Sequence, residues 1–573
     1  NVIANSDFFT SAFPAEYGNA FSGVFDLNLR KGSEEYFQSS IIASVIGTEV
    51  SLEGPIVKKQ KSSYLINYRY STFSLLDKAG IKVSNENVIP TFQDLACNFS
   101  IPSNLFGNTT VFAILGNSSS GIKAVKDSLL LIQKENRYEE YNKGNVWITG
   151  ITNNYSFTDK KTYLKTVVSL MGSENEFIND TMDFNFNDHN IYNEKITYTT
   201  LRSTMLLNHK FNSKNTIRTG LIYSREYYNL FSAGLDFESN INRSILHNNG
   251  ITNVLQGYFE WKYRITDKID INSGLHYLNF MLNNRQSLEP RLGIEWQIDG
   301  RQSISTGAGL HSRLEPISLY LMKISNNNTE SQANKNINIA KSIHTVFGYD
   351  LSITEALHFK AEIYYQHLYD IPVEDSIGSQ FSTLNLSQGF VTVPLANKGT
   401  GKNYGIDITL EKYFTKTYYF LITGSLFDSK YIPADGIEYN SAYNGNYMCN
   451  ILIGKEWAVG RKNNALLGIN SRLLYKGGLR YQPVDLEKSR LAGKAVYNND
   501  ENFTKKLNDY YNVDFGINFK KNRAKYSWTV SLDIENITNH KNIIRMKYNS
   551  YTGNMQYDYD LLLLPVLSFS IDF

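Results

Sequence analysis

Apolar and polar residues alternate along most of this chain. In KYSWTVSLDIEN (525–536) the even positions Tyr526, Trp528, Val530, Leu532 and Ile534 are apolar, while Lys525, Ser527, Thr529, Ser531, Asp533 and Glu535 are polar. NYGIDITLEK (403–412) sets Tyr404, Ile406, Ile408 and Leu410 against Asn403, Asp407, Thr409 and Glu411. YNVDFGINF (511–519) repeats the pattern, and so does the chain's last stretch, where Pro565, Leu567, Phe569, Ile571 and Phe573 interleave with Ser568, Ser570 and Asp572. A period of two is the side-chain geometry of a β-strand with one apolar face. The runs are roughly 9–12 residues long, more than a soluble strand usually needs and enough to cross a bilayer at the common tilt.

The spacing between runs narrows the architecture. Short connections fall at 212–215, 266–268, 299–302, 354–356, 414–417 and 522–524. Long ones fall around 118–144, 173–194, 229–250, 314–336, 372–400, 477–507 and 538–558. Short and long alternate with strand parity. A membrane barrel with tight periplasmic turns and long extracellular loops requires that alternation, and a soluble sandwich or propeller does not. Counting from Tyr36 gives about 22 strands, the size of large outer-membrane transporters. The expected fold is therefore all-β, a transmembrane antiparallel β-barrel in which the last strand pairs with the first.

Composition agrees. The chain has 40 Tyr and 32 Phe against 11 Pro, a bias that suits strands and membrane boundaries. A net charge of +2 gives no reason to expect a nucleic-acid partner. No apolar run is long enough for a membrane-spanning helix. Cys97 and Cys449 lie far apart in strand-like runs, without metal-ligand or redox spacing. The start, NVIANSDFF, is not a signal peptide, and a processed or trimmed chain is expected.

Residues 1–33 precede the first wall strand. PAEYGNAFSGVFDLNLRKG within them resembles the end of the plug domain of TonB-dependent outer-membrane receptors, those of Bacteroidetes especially. SLEGPIVKKQKSSYLINYRYST, TFQDLACNFSIP, GKNYGIDITLEKYF and LDIENITNHKNI are similar to further patterns of that family, and Phe573 to its barrel-insertion signal. The resemblance implies the C-terminal remnant of a plug at 1–33 and a complete barrel at 34–573. It implies energy-coupled import of a scarce nutrient (siderophore, haem, vitamin, peptide or glycan). The implied partners are outer-membrane lipid and the TonB–ExbB–ExbD motor through a missing N-terminal segment, whereas a surface lipoprotein over the loops goes with an assembly-subunit reading. No TonB box can be named in the residues present. A structural subunit of a surface assembly and a passive porin are the alternatives.

Candidate chemistry is sparse. The nine His form no H-E-x-x-H motif, and no G-x-S-x-G elbow or phosphate-binding glycine loop occurs, so neither catalysis nor a cofactor is expected. Binding is expected on the long loops. REYYNLFSAGLDF offers Tyr227, Tyr228, Phe231 and Phe237 as exposed aromatics for stacking, and YNSYTGNMQYDYD offers Tyr551, Tyr557 and Tyr559; a membrane-boundary tyrosine belt is the plainer reading. ENEFINDTMDFNFNDHN concentrates acids, with Asp180, Asp183 and Asp188 as candidate cation ligands or simply a solvated acidic loop.

Overall fold

The computed structural model describes residues 2–10, 13–72, 90–127, 129, 131, 137–236, 241–326, 329–386, 390–461, 463–498, 501–549 and 552–573. Twenty-two antiparallel strands close into one barrel. The first, Gln38–Ser44, pairs with the last, Leu564–Asp572, placing Ser40 opposite Asp572. The backbones of Ser39 and Phe573 exchange hydrogen bonds of 2.8 and 3.4 Å, so the wall is joined through its final residue. Closure removes the unpaired edges that an open sheet of this size would expose.

Side-chain parity assigns the faces. In the strand Ile269–Phe280, Leu275 points out to the lipid side and is 41% exposed, whereas its neighbour His276 points inward and is fully buried. In Arg285–Gln297, Leu288 and Leu292 face out while Glu289 and Arg291 face in. The tight connections occur where the pattern placed them: strands end at Lys210, Thr266, Gln297, Thr354, Thr415 and Asn522, and resume at Asn215, Ile269, Gln302, Leu357, Tyr418 and Ser527. Lys416 and Thr417 both take left-handed φ (50° and 75°), as a two-residue hairpin on right-twisted strands demands. Cys97 and Cys449 are free and half-buried on wall strands.

Two of the expected long loops are corrected. Residues 173–194 are two wall strands, Thr162–Met182 and Asp188–Lys210, joined by a tight turn, and 229–250 fall largely in Asn215–Asp236 and Ile241–Thr266. These hairpins rise past the apolar band, where both faces of a strand meet water. Alternation between apolar and polar then stops, although the ladder does not; cross-strand pairs such as Lys195 and Glu174 (3.3 Å) stand in for it.

Ahead of the wall, Asp7–Thr10 and Gly23–Asp26 form a separate two-stranded sheet, Asp7 opposite Asp26, extended by a bridge between Ile3 and Leu29. This small sheet fixes where the intervening residues 13–21 can reach.

Candidate functional site

The N-terminal segment is tied to two opposite sides of the barrel. Near the periplasmic end, Arg30 forms a two-pronged pair with Glu53 (2.7 and 2.8 Å), and the Ser33 N–H donates to the same carboxylate at 2.9 Å. Asn98 donates to the Arg30 carbonyl oxygen at 2.9 Å. Gly32 lies so close to the wall that a Cβ would sit 1.9 Å from the Tyr64 carbonyl oxygen. Glu53 belongs to the second wall strand, Gly47–Val57. The other attachment centres on Arg291 of the twelfth, ten places away on a ring of 22. The segment therefore crosses the lumen from wall to wall.

At the far wall successive strands each contribute an inward side chain. Arg218 donates to Glu16 (2.6 Å), and Glu260 accepts the Glu16 backbone N–H (2.8 Å). His276 donates through Nδ1 to the Ala15 carbonyl oxygen (2.7 Å). Arg291 donates from one nitrogen to the carbonyl oxygens of Phe13 (3.1 Å), Pro14 (2.5 Å) and Tyr17 (2.7 Å), and from another to Glu289 (2.7 Å). The five-donor planar fork of arginine suits such a turn, whose carbonyls would otherwise be left unpaired in a dry contact. Glu289 offsets the burial of its charge: the pair is 5% and 0% exposed. The Phe13 ring lies between Arg291 (4.9 Å) and His311 (4.2 Å), and His311 stacks on His344 at 4.3 Å. Gly18 makes the approach possible, since a Cβ there would lie 2.1 Å from His276 Nε2. Burial and the neighbouring Glu16 carboxylate push the Tyr17 phenol well above its ordinary range, so it stays a neutral donor to Asp26 (3.1 Å).

The largest buried apolar cluster among the described residues sits in the mouth, between loop residues and the inner face of the wall. The short helix Ile317–Leu321 and the residues after it turn inward, packing Leu319, Tyr320 and Met322 against Leu230, Leu246, Val254, Leu278 and Phe280 of the wall. Val391 of the next loop and Leu395, where the wall strand Leu395–Thr415 begins, join the cluster. Two loops thus fold into the barrel, where apolar surface of this kind is shielded from water.

A wide antiparallel barrel, a strap across its lumen and inward-folded loops are matched by one family model, TonB dependent receptor-like, beta-barrel, over residues 82–537. The chain belongs to the TonB-dependent receptor β-barrel family. Solved structures agree in fold at low identity. The ferric yersiniabactin uptake receptor FyuA from Yersinia pestis superimposes with a TM-score of 0.72 at 11% identity, covering 99% of this chain and 85% of that one. The ferric preacinetobactin receptor BauA from Acinetobacter baumannii gives 0.71 at 10% identity, covering 100% and 85%. The ferric-catecholate import receptor Fiu from E. coli K12 gives 0.70 at 10%, covering 99% and 85%. No curated protein matches the sequence. As a TonB-dependent receptor barrel the protein resides in the outer membrane, with lipid around its wall, and membership of the family implies interaction with TonB.

The receptor's loop candidates are scattered. Tyr227 points outward beneath Arg225, whose guanidinium lies 5.5 Å from the ring centre. Tyr228 corrects the expectation of exposure: even positions of its strand face inward, and it is buried in the mouth cluster. Phe231 meets His247 edge-on at 6.0 Å. Tyr557 and Tyr559 stand exposed on the hairpin formed by Ile543–Asn549 and Asn554–Tyr559, while Phe237 and Tyr551 lie outside the described residues. Of the acids, Asp180 accepts from the Asn190 side chain (2.8 Å) and Asp183 is occupied within its own turn. Asp188 opens the following strand as an exposed residue, opposite Met182. No group of three His, Cys, Asp or Glu placed to hold a metal occurs among the described residues.

Sequence reasoning missed the whole far-wall seat. Arg218, Glu260, His276, Glu289 and Arg291 come from four strands, and in a single sequence each looks like an ordinary polar position of an alternating run. Charges flanking a lumen-facing glycine, as Arg291 flanks Gly293, carry no flag of their own.

Proposed function

We propose that this receptor is a TonB-dependent importer that takes up a scarce, bulky nutrient by energy-coupled movement of a plug, of which residues 1–33 form the C-terminal end and 34–573 the surrounding barrel. The observation that carries the reading is the strap from Glu53 to Arg291, held at both ends by charge-assisted hydrogen bonds. Such bonds are strong enough to keep a lumen occupied and can be exchanged for water when the segment is pulled. Ligand capture falls to the loops and raised hairpins at the mouth, with Tyr557 and Tyr559 as stacking candidates; Tyr227 and Phe231 sit at outward positions of Asn215–Asp236 and face away from the lumen. Force reaches the plug through TonB, driven by ExbB and ExbD. Ferric chelates are the class to try first among siderophore, haem, vitamin, peptide and glycan, because the solved receptors that share the fold take up ferric siderophores.

The test is uptake by cells carrying the full-length receptor. Radiolabelled ferric siderophores should accumulate only with both the receptor and a working TonB. The intact protein in a planar bilayer should be nearly silent. A large steady conductance would make it a passive porin. Firm co-purification with a surface lipoprotein, and no growth defect on any nutrient, would make it an assembly subunit.

A further inference from the structure

Two residues of the N-terminal segment touch both loops that fold into the mouth. Asn19 stands at a left-handed φ of 56°, and its side-chain oxygen accepts the Leu314 backbone N–H at 2.7 Å, across 295 residues of sequence. Leu314 is the first residue of the inward-folded loop, at the point where it leaves the wall strand Gln302–Arg313. Two residues on, Phe21 is buried against Ala340, Leu368 and Ile371 of the wall and against Leu384 of the second loop, with the Arg313 guanidinium 5.4 Å from its ring centre. Arg313 in turn pairs with Glu315 (3.3 Å). Glu315 is almost wholly buried and accepts from Thr383 (3.2 Å), while its backbone N–H donates to Tyr320 of the short helix (3.3 Å). One continuous set of contacts therefore runs from Asn19 and Phe21 to the root of the first loop, to its apolar helix and to the second loop.

We propose that Asn19 and Phe21 are positioning residues that hold the two inward loops shut, so that closure of the extracellular mouth depends on where the N-terminal segment sits. The loops bury apolar side chains, but their roots rest on a segment that is not part of the wall. Withdrawal of that segment removes the acceptor for Leu314 and one side of the packing around Leu384. The mouth opens as the segment leaves its seat. A coupling of this kind needs a physical element that both sites bias, and the root at Arg313, Leu314 and Glu315 is that element. The inference rests on the barrel's orientation and not on the import reading, since it is tested without ligand or motor.

The experiment uses the full-length protein in its own outer membrane, with Cys97 and Cys449 replaced by serine and Leu319→Cys as the reporter on the buried loop helix. A membrane-impermeant maleimide reports how often that site meets the medium, and a cysteine at the exposed position Leu491 normalises for access. Asn19→Gly keeps the backbone conformation and removes only the acceptor. It should raise the labelling rate at 319 roughly five- to tenfold, the population change expected for one lost hydrogen bond. Phe21→Ala should raise it as well, and Asn19→Asp, which still accepts from Leu314, should stay near the parent rate. Unchanged labelling in Asn19→Gly, in a barrel whose migration on gels is still heat-modifiable, would overturn the proposal. So would a rise in Asn19→Asp as large as in Asn19→Gly. If Phe21→Ala fails to assemble, Asn19→Gly and Asn19→Asp decide alone.

Discussion

Arg30 and Glu53 are joined by two parallel hydrogen bonds, 2.7 and 2.8 Å, where the N-terminal segment leaves the lumen for the wall. The side chains are one-third and one-eighth exposed, so solvent screens the pair only in part. The geometry makes Arg30 unavailable to a protease although Lys31 next to it is accessible. Glu53→Gln removes the charge and one of the two matched acceptors, a loss of about 1–3 kcal/mol for a bond to a charged group. Trypsin added to the purified receptor should then cut after Arg30 and Lys31 several times faster than in the parent. Equal rates would mean that the pair does not hold the segment.

Gly18 and His276 define how closely the segment can approach the far wall. An alanine Cβ would come within 2.1 Å of Nε2 and 2.4 Å of Cε1 of the imidazole, distances that no side chain tolerates without a shift. Gly18→Ala should unseat residues 13–21 at a cost of about 1–3 kcal/mol, the usual range for overpacking. Cells carrying it should become sensitive to a large hydrophilic antibiotic that the parent excludes. Adding His276→Ala makes room for the methyl group and should restore much of the resistance, because the two changes share one contact and are not additive. Sensitivity of the double variant equal to the sum of the singles would refute the steric account.

The barrel was legible in the sequence because lipid imposes a rule on every second residue. Tyr526, Trp528, Val530 and Leu532 must be apolar wherever a wall strand crosses the bilayer, and the turn at Lys416 and Thr417 must be tight wherever a periplasmic hairpin closes. That rule lapses above the membrane. Glu174, Glu176 and Asp180 lie on a strand with water on both faces, so their stretch read as a loop. The far-wall seat was illegible for another reason. Arg291 is defined by the carbonyl oxygens of Phe13, Pro14 and Tyr17, and a backbone acceptor leaves no mark on the residue type that offers it. Tyr228 lies one position of register from the outward Tyr227, and its residue type does not tell the two faces apart.

The same parity sets what the wall tolerates. Leu292 lies midway along Arg285–Gln297 on the lipid side, and Glu295 on the lumen side of the same strand, opposite Asp270. Leu292→Lys should cost about 2–4 kcal/mol, the penalty of a cation near the bilayer midplane. Glu295→Lys places a cation beside Asp270 in a wet lumen and should be close to neutral. Denaturant unfolding in lipid vesicles measures both. Similar losses for the two variants would show that the faces have been assigned wrongly.

Asp183 turns the raised hairpin at its tip. Its carboxylate accepts the backbone N–H groups of Asn185 (2.8 Å) and Asn187 (2.9 Å) and the Asn187 side chain (3.2 Å), and it pairs with His189 at 3.1 Å. These donors, the Asn187 backbone first, hold the carboxyl well below the ordinary range. A group whose folded pKa is depressed stabilises the fold above its unfolded value, about 3.9 for aspartate, and loses that contribution as the pH falls toward the folded value. The turn should therefore be fully ordered at neutral pH and remain so as exposed carboxylates elsewhere protonate. With asparagine labelled by nitrogen-15, the amide signals of Asn185 and Asn187 should titrate with a midpoint clearly below 3.9, and in Asp183→Asn that titration should vanish. A midpoint at the ordinary aspartate value would mean that the carboxylate faces water and does not hold the turn.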